Sequence, residues 1–504
     1  MERRDFLKTG GVVLAGVTLL PHLIGSCDSH PTDVSQMLAH FGVSEGDLKK
    51  VITVALERGG DYADLFFEHT FRNALSLQDG AVNQASSNID FGVGVRVVKG
   101  DQTGYAYVEN VNLNEMLSAA RTAARIADGD TNLPAANVID KTFTNYYPVL
   151  KSWEEVSVED KRPYVQKLND RCFALNNKVS KVIASLSDET SYILFYDSEG
   201  ILCCDYRPMV SLTAYCIMED GGQTENFRSS RSFRKGVEFL TDDIVEVIAT
   251  EAVEGAARMF HAVRPRGGEL PVVMAAGGSG ILLHEAIGHA FEADFNRKNT
   301  SIFSDKLGKQ ICEANINIVD DGTITGNRGS INFDDEGTVS QKTYIVTEGV
   351  LTNYLHDRIS AKHYGIASTG NGRRQSFRYI PIPRMRCTYM ENGGLSEQDI
   401  IAEVKNGIYA ETFLNGQVQI GAGDFTFYVK SGYLIENGKL TQPIKDINII
   451  GNGPKALADI TMVGNNLKVD DGTWTCGKNG QGVPVTQGLP SVLVRRLTVG
   501  GEIL

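Results

Sequence analysis

Residues 270–292 read LPVVMAAGGSGILLHEAIGHAFE, and this stretch decides the architecture that we expect for the second half of the chain. Residues 270–275 form an unbroken apolar run, which is typical of a buried strand. Gly277-Gly278 predicts a turn, and Ser279 is a suitable N-cap for a helix that begins near Gly280. Apolar residues occupy nearly every side of that helix. The sequence therefore predicts a buried helix that follows a buried strand.

Ionisable side chains lie within this apolar helix, at His284, Glu285, His289 and Glu292. Burying such groups is costly unless a partner compensates for them. A metal ion would do so, because neutral imidazole is the commonest metal ligand and a carboxylate beside a metal can accept a proton from water. The alternative is a pair of core histidines satisfied by ordinary hydrogen bonds.

The two histidines are five residues apart, in an HExxxH pattern. On a regular α-helix this spacing turns the two imidazoles about 140° away from each other. They converge if the helix widens by one residue into a π-bulge, a distortion that concentrates at functional sites, and Gly288 makes it inexpensive. We therefore predict that the helix departs from α-helical geometry near Gly288.

Around this stretch the chain predicts an α+β fold in two domains. An N-terminal mixed domain is expected over residues 34–260, with a boundary near the sequence RPRGG at 264–268. A strand-rich C-terminal domain follows over 261–504, with the buried motif helix and one more helix at 398–409. The N-terminal domain shows helical spacing in four segments, 44–58, 112–127, 156–175 and 242–260.

Composition limits the classes of function. The 504 residues are 42% hydrophobic and 22% charged, as in ordinary globular proteins. The formal net charge is −13 and no basic patch stands out, so we expect no nucleic-acid partner. Eight cysteines show no CxxC pair, and most are expected to be small buried residues without a disulfide framework.

The first 33 residues predict an export signal and linker. Arg3 and Arg4 precede an apolar run at 10–20, which is the layout of a twin-arginine signal. This run is too short to span about 30 Å of hydrocarbon as a permanent anchor. Residues 24–27 (IGSC) are similar to a lipobox, so we expect a periplasmic protein or a lipoprotein anchored through Cys27. The alternative is a chance basic pair in a cytoplasmic protein.

Several motifs in the second half resemble those of the TldD/PmbA metallopeptidases, in their TldD-like, metal-bearing branch. The resemblance is strong from about residue 261 onward and looser before it. It rests on HEAIGH at 284–289 with DFNRK at 294–298, on TGNGRR at 369–374 with PIPRM at 381–385, and on MVGN at 462–465 with CGK at 476–478.

The resemblance implies a C-terminal metallopeptidase domain with metal ligands at His284, His289 and Cys476 and with Glu285 as the catalytic base. From the residues alone, Cys476 would not stand out among the eight cysteines. Two imidazoles and a thiolate suit one zinc ion and leave a fourth tetrahedral position open, as catalytic zinc requires.

Further site residues are expected in the other motifs. Arg373 and Arg374, with Asn371, are candidates for binding a substrate carboxylate or an oxyanion, and a structural salt bridge is the alternative. Asp294, Asn296 and Arg297 are candidates for supporting the metal ligands, and the alternative is that they only make hydrogen bonds at the end of the motif helix.

The resemblance also implies a function and partners. We expect a zinc-dependent peptidase that acts on flexible or unfolded peptides, and a dimer formed with itself or with a related metal-free subunit. The alternative function is a catalytically silent scaffold or peptide-binding subunit with a structural metal. Glu285 favours the enzyme, because a structural site has no use for a base.

Overall fold

The computed structural model describes residues 33–127, 129 and 135–501. The predicted export signal, with Arg3, Arg4 and Cys27, lies outside these residues. Within the described ranges, no helix is both long enough and apolar enough to cross a membrane.

Helices and strands alternate in the first half of the chain, and strands dominate the second half, so the predicted α+β class is confirmed. The α-helices are α1 Val34–Phe41, α2 Glu45–Leu56, α3 Leu113–Ala124, α4 Val158–Leu175, α5 Asp242–Met259, α6 Ala293–Arg297, α7 Arg358–Tyr364, α8 Glu397–Ala402 and α9 Gly453–Ala458. The strands of the first half are β1 Tyr62–Gln78, β2 Ala81–Lys99, β3 Gln102–Val108, β4 Ile139–Asp140, β5 Val179–Asp197, β6 Ile201–Asp220 and β7 Gln223–Phe233. Those of the second half are β8 Gly268–Met274, β9 Ile318–Asp321, β10 Lys342–Thr347, β11 Val350–Leu351, β12 Gly372–Arg373, β13 Ile382–Pro383, β14 Cys387–Met390, β15 Asn406–Gln419, β16 Asp424–Glu436, β17 Lys439–Asn452, β18 Ile460–Val463, β19 Lys468–Val469, β20 Thr475–Lys478, β21 Gln481–Pro484, β22 Thr486–Leu489 and β23 Val492–Gly500.

The first seven strands form one sheet in the order β3-β2-β1-β5-β6-β4, with β7 paired to β6. Side chains alternate between its faces, as strand geometry requires. Leu65 and Leu194 point to one face and join a core with α1, α2 and α3. Phe66 and Phe195 point to the opposite face, where they meet side chains of the second half of the chain. The sheet therefore carries helices on one side and the site-bearing half on the other.

Buried ion pairs join the two halves across this second face. Arg96 bonds Asp64 beside it and places its Nη1 atom 2.5 Å from Glu336 Oε1. Arg207 Nη1 lies 2.6 Å from Asp335 Oδ1. Buried charges persist only when they are paired and hydrogen-bonded, so these contacts fix how the halves pack together.

Five strands of the second half close into a barrel. They follow the order β17-β16-β15-β8-β23, and β23 pairs again with β17. A second sheet, β11-β10-β9-β14-β22-β19, lies outside the barrel. Strand β8 pairs in parallel with β15 and antiparallel with β23, so the chain leaves a central barrel strand and enters the motif helix. This placement confirms the predicted buried strand.

The helix expected at 398–409 is shorter than predicted. Helix α8 ends at Ala402, and β15 begins at Asn406 and carries Tyr409. Ser396 caps the helix and forms a capping box with Asp399. The remaining residues become strand because Ile408–Ala410 pair with the barrel strand β8, and this tertiary pairing outweighs local helical spacing.

Candidate metal centre

The motif helix is a π-helix over Leu282–Gly288, followed by a 3₁₀ turn at His289–Phe291. The His289 backbone N–H donates to the carbonyl of His284, five residues earlier. This extra residue per turn brings both imidazoles to one side, with ring centroids 5.1 Å apart. The distortion predicted from the five-residue spacing is confirmed.

Ser279 does not cap this helix, contrary to the prediction. It lies in a 3₁₀ turn over Gly278–Gly280, and its hydroxyl donates to the carbonyl of Ala275. Gly277 adopts a φ of 100°, which favours glycine, and turns the chain between β8 and the helix. The serine therefore secures the turn and leaves the helix start without a side-chain cap.

Gly288 provides the space that the distorted helix needs. A Cβ atom at this position would lie 2.3 Å from Met385 Sδ and 2.9 Å from the carbonyl oxygen of Leu283. Both neighbours are fully buried core residues, so neither has free space into which to move. Glycine at 288 thus allows the helix and the 381–385 segment to pack closely.

We expect Gly288→Ala to destabilise the protein by about 1–3 kcal/mol, because overpacking forces neighbouring atoms to shift. Urea denaturation measures this loss. Gly477→Ala is the matched control, because a Cβ at Gly477 meets no atom within 4 Å although the residue adjoins Cys476. Equal midpoints for Gly288→Ala and the parent protein would contradict the close packing.

Three side chains that suit a metal converge beneath this helix. One nitrogen from each of His284 and His289 and the sulfur of Cys476 all lie within 4.8 Å of one another. Cys476 Sγ is 3.2 Å from His289 Nε2. Tetrahedral zinc, with bonds of about 2.0–2.3 Å, separates its ligand atoms by roughly 3.5 Å, so the cluster has a suitable size.

Burial and hydrogen bonding support the same interpretation. The three residues are only 3–5% exposed. Among the described residues, His284 Nδ1 is buried with no hydrogen-bond partner. An ion or a water molecule can satisfy a buried polar atom of this kind. The donor set of two imidazoles and one thiol therefore fits a borderline-soft divalent ion such as zinc.

The thiol of Cys476 is favoured as a thiolate. Burial alone would raise its pKa, but the neighbouring imidazoles of His289 and His284 outweigh burial and hold the pKa well below its usual value. A thiolate is the form of cysteine that binds metals. The cysteine lies on β20, and Arg384 fixes this strand through a 2.5 Å hydrogen bond from Nη2 to the carbonyl of Cys476.

Glu285 lies on the same helical turn, beside the three ligand candidates. Its side chain is partly buried, and this burial raises its pKa. The strand β15 crosses it closely, since a Cβ on Gly416 would lie 3.0 Å from Glu285 Cγ. Glycine at 416 therefore leaves room for the carboxylate.

Glu292 lies next to the three candidate ligands. The sequence predicts no role for it in the metal centre. Its Oε2 atom is 2.9 Å from His289 Nδ1. Burial alone would raise its pKa, but Lys478 and His289 together lower it to about 2. A carboxylate on the second ring nitrogen orients a metal-binding histidine. The spacing of three residues from His289 is the signal that could have found it.

The three residues that follow the helix have different surroundings. Asp294 Oδ1 accepts a 2.7 Å hydrogen bond from Lys478 Nζ, close to Glu292. Asn296 Nδ2 donates to the carbonyls of Ala290 and Glu292, which matches the alternative of helix-end hydrogen bonds. Arg297 faces the N-terminal domain, with Nη1 3.6 Å from Asp101 Oδ2.

The proposed substrate-binding residues are buried and bonded to protein groups. Arg373 donates to the carbonyls of Met385 and Pro484 at 2.7 and 2.8 Å. Arg374 Nη2 lies 3.6 Å from Asp64 Oδ1, and Asn371 Nδ2 donates to Asp320. This placement favours the structural alternative over contact with substrate.

The fold and the buried His-His-Cys cluster define a protein with a candidate metal centre, and comparison with known proteins gives its family. Residues 63–127 match the family model PmbA/TldA metallopeptidase domain 1, residues 151–260 match the central domain, and residues 267–501 match the C-terminal domain. The chain belongs to the PmbA/TldD metallopeptidase family.

Relatives over nearly the whole chain carry metalloprotease names. The chain is 38% identical to "Metalloprotease TldD homolog" of Haemophilus influenzae over 474 residues, which cover 92% of this chain and 98% of the relative. It is 28% identical to "Zinc metalloprotease TldD homolog" of Saccharolobus solfataricus, over 90% of this chain and 100% of the relative. The relatives' names support a metallopeptidase.

Solved structures share the fold. A Thermotoga maritima protein superposes with a TM-score of 0.74 at 22% identity, covering 90% of this chain and 100% of that one. TldE from Thermococcus kodakarensis superposes with a TM-score of 0.70 at 19% identity, with coverage of 90% and 100%. At such identities the likeness concerns the architecture alone.

Proposed function

We propose that the protein is a zinc-dependent peptidase that hydrolyses flexible or unfolded peptides. The observation that carries this proposal is the convergence of His284, His289 and Cys476 beneath a π-helix that also presents Glu285. The metalloprotease names of the relatives support it independently.

The roles of the side chains follow from their chemistry. His284, His289 and Cys476 would hold one zinc ion, which supplies Lewis-acid polarisation of a peptide carbonyl and of water. Glu285 accepts the proton of the attacking water and passes it to the leaving amine. A carboxylate held in position can carry out both proton transfers.

The same arrangement favours a catalytic over a structural metal. Structural zinc sites have four protein ligands, whereas catalytic sites have three and an open position. In the described part of the chain the cluster has three ligating side chains. Glu285, on the same turn, would serve no purpose in a closed site. The three ligand candidates together with Glu285 therefore support a hydrolytic enzyme over a scaffold protein.

Removing the metal is expected to abolish peptide hydrolysis. We expect an unfolded protein substrate to yield fragments with the purified enzyme, none after treatment with a zinc chelator, and fragments again when zinc is restored. Mass spectrometry of the digest measures this result. The control is the same chelator saturated with zinc beforehand. An unchanged yield of fragments after chelation would contradict zinc dependence.

We also propose that the protein is exported in folded form through its twin-arginine segment. Folding in the cytoplasm would protect Cys476 from oxidation until the metal is bound. Replacing Arg3 and Arg4 with lysine is expected to leave active enzyme inside the cell and to remove it from the periplasm and membrane, as cell fractionation measures. The exposed pair Arg495-Arg496, changed likewise, is the control. Normal export of the Arg3/Arg4 variant would refute the proposal.

A further inference from the structure

The strand that carries Cys476 also carries a buried lysine. Strand β20 pairs antiparallel with β21, with Cys476 opposite Val483 and Lys478 opposite Gln481. Cys476 and Lys478 are two residues apart and point to the same face of this hairpin. Both are buried, whereas Thr475 and Gly477 are exposed. The lysine therefore enters the interior beside the candidate metal centre.

Three oxygen atoms surround the ammonium group of Lys478. Its Nζ atom lies 3.0 Å from Glu292 Oε2, 2.7 Å from Asp294 Oδ1 and 3.0 Å from the carbonyl of Pro383. The contacts with Asp294 and with the Pro383 carbonyl are hydrogen bonds, and the contact with Glu292 is an ion pair. The ring of Phe295 closes the site, with its centroid 4.3 Å from Nζ. Lys478 is thus held in one position.

One oxygen atom connects this lysine to the candidate ligands. Glu292 Oε2 is in contact with both Lys478 Nζ and His289 Nδ1. The Glu292 side chain is fully buried, and a buried carboxylate without a cation is strongly disfavoured. Lys478 therefore holds Glu292 against His289, while its own strand sets the position of Cys476.

We propose that Lys478 is a positioning residue that couples the two parts of the metal centre. Lys478 lies on the same strand as Cys476 and contacts Glu292, and Glu292 contacts His289. These contacts fix the hairpin that carries Cys476 relative to the helix that carries His284 and His289. This inference rests on the proposed function for its metal, and it adds that the centre depends on a side chain that does not touch the ion.

The test compares metal binding of the full-length Lys478→Met variant with that of the parent. Methionine has a similar length but no charge. We expect a Kd for Zn²⁺ raised about 10–100-fold, the usual effect of losing a partner behind a metal ligand. With Co²⁺ as the probe, the sulfur-to-cobalt absorption band should shift or weaken, because the hairpin and His289 no longer share one geometry. An unchanged Kd and spectrum would overturn the proposal.

Lys430→Met is the matched control. Lys430 is also a buried lysine, 3.0 Å from Asp446 Oδ1 on neighbouring barrel strands. If the loss of a buried lysine acts only on the structure, thermal stability falls in both Lys478→Met and Lys430→Met. A positioning role changes the Co²⁺ spectrum and zinc affinity in Lys478→Met alone. Equal losses of zinc affinity in the two variants would overturn the assignment.

Glu292→Gln keeps the test decisive if Lys478→Met does not fold. This change removes the buried charge that Lys478 neutralises, so the double variant Lys478→Met/Glu292→Gln should fold. Because both residues act through one contact, its zinc affinity should equal that of Glu292→Gln alone. A further tenfold loss in the double variant would overturn the proposed coupling through Glu292. A parent protein that binds zinc but leaves peptides intact would refute the proposed function and not this inference.

Discussion

Replacing Glu285 with glutamine is expected to lower kcat/KM for peptide hydrolysis by about 10²–10⁴-fold, the range that a positioned general base contributes. Glutamine has almost the same shape, so the close approach of Gly416 to the Glu285 side chain is preserved. Its amide cannot accept the proton of the attacking water. Metal content should stay at the parent level, because Glu285 is not in the ligand cluster.

Metal analysis and peptidase kinetics on the same preparation check both parts of this prediction. Glu436→Gln is a suitable control, since Glu436 lies exposed at the end of β16. Retention of parental kcat/KM in Glu285→Gln would refute the role of general base. Loss of metal in this variant would instead show that Glu285 is a ligand.

Replacing Cys476 with serine is expected to remove most of the bound zinc and, with it, peptide hydrolysis. The serine hydroxyl stays protonated at neutral pH, whereas the neighbouring histidines favour a thiolate at this position. The backbone should be little affected, because Arg384 binds the carbonyl of residue 476 and not its side chain. The loss of affinity should exceed the roughly 10–100-fold cost of losing an outer partner.

A second buried cysteine gives the control for this change. The Cys312 thiol lies 3.8 Å from the carbonyl oxygen of Gly349 and is outside the cluster, so Cys312→Ser should keep its metal. Zinc content measured by elemental analysis separates the two variants. Equal zinc in Cys476→Ser and the parent protein would remove Cys476 from the ligand set.

The geometry of the motif helix could be predicted because it depends on residues that are close in sequence. The spacing of His284 and His289 forces a choice between diverging rings and a widened turn, and Gly288 makes the widened turn possible. The preceding strand could be predicted from its unbroken apolar run. Such features depend on residues within about one or two helical turns, where helix and strand geometry constrain the answer.

The remainder of the centre depends on contacts that sequence spacing does not reveal. Cys476 meets His289 across 187 residues, and nothing in its own neighbourhood requires this pairing. Arg373 and Arg374 resembled ligand-binding arginines, yet their partners are carbonyls and an aspartate brought near by tertiary folding. The helix expected at 398–409 ended early for a similar reason, because pairing with the barrel strand decided its second half.

Anomalous diffraction at the zinc absorption edge, from crystals of the zinc-loaded protein, would locate the metal and identify its ligands. We expect one strong anomalous peak per chain, at bonding distance from a nitrogen of His284, a nitrogen of His289 and the sulfur of Cys476. A peak at any other place, or a peak bonded to fewer than these three side chains, would contradict the proposed centre.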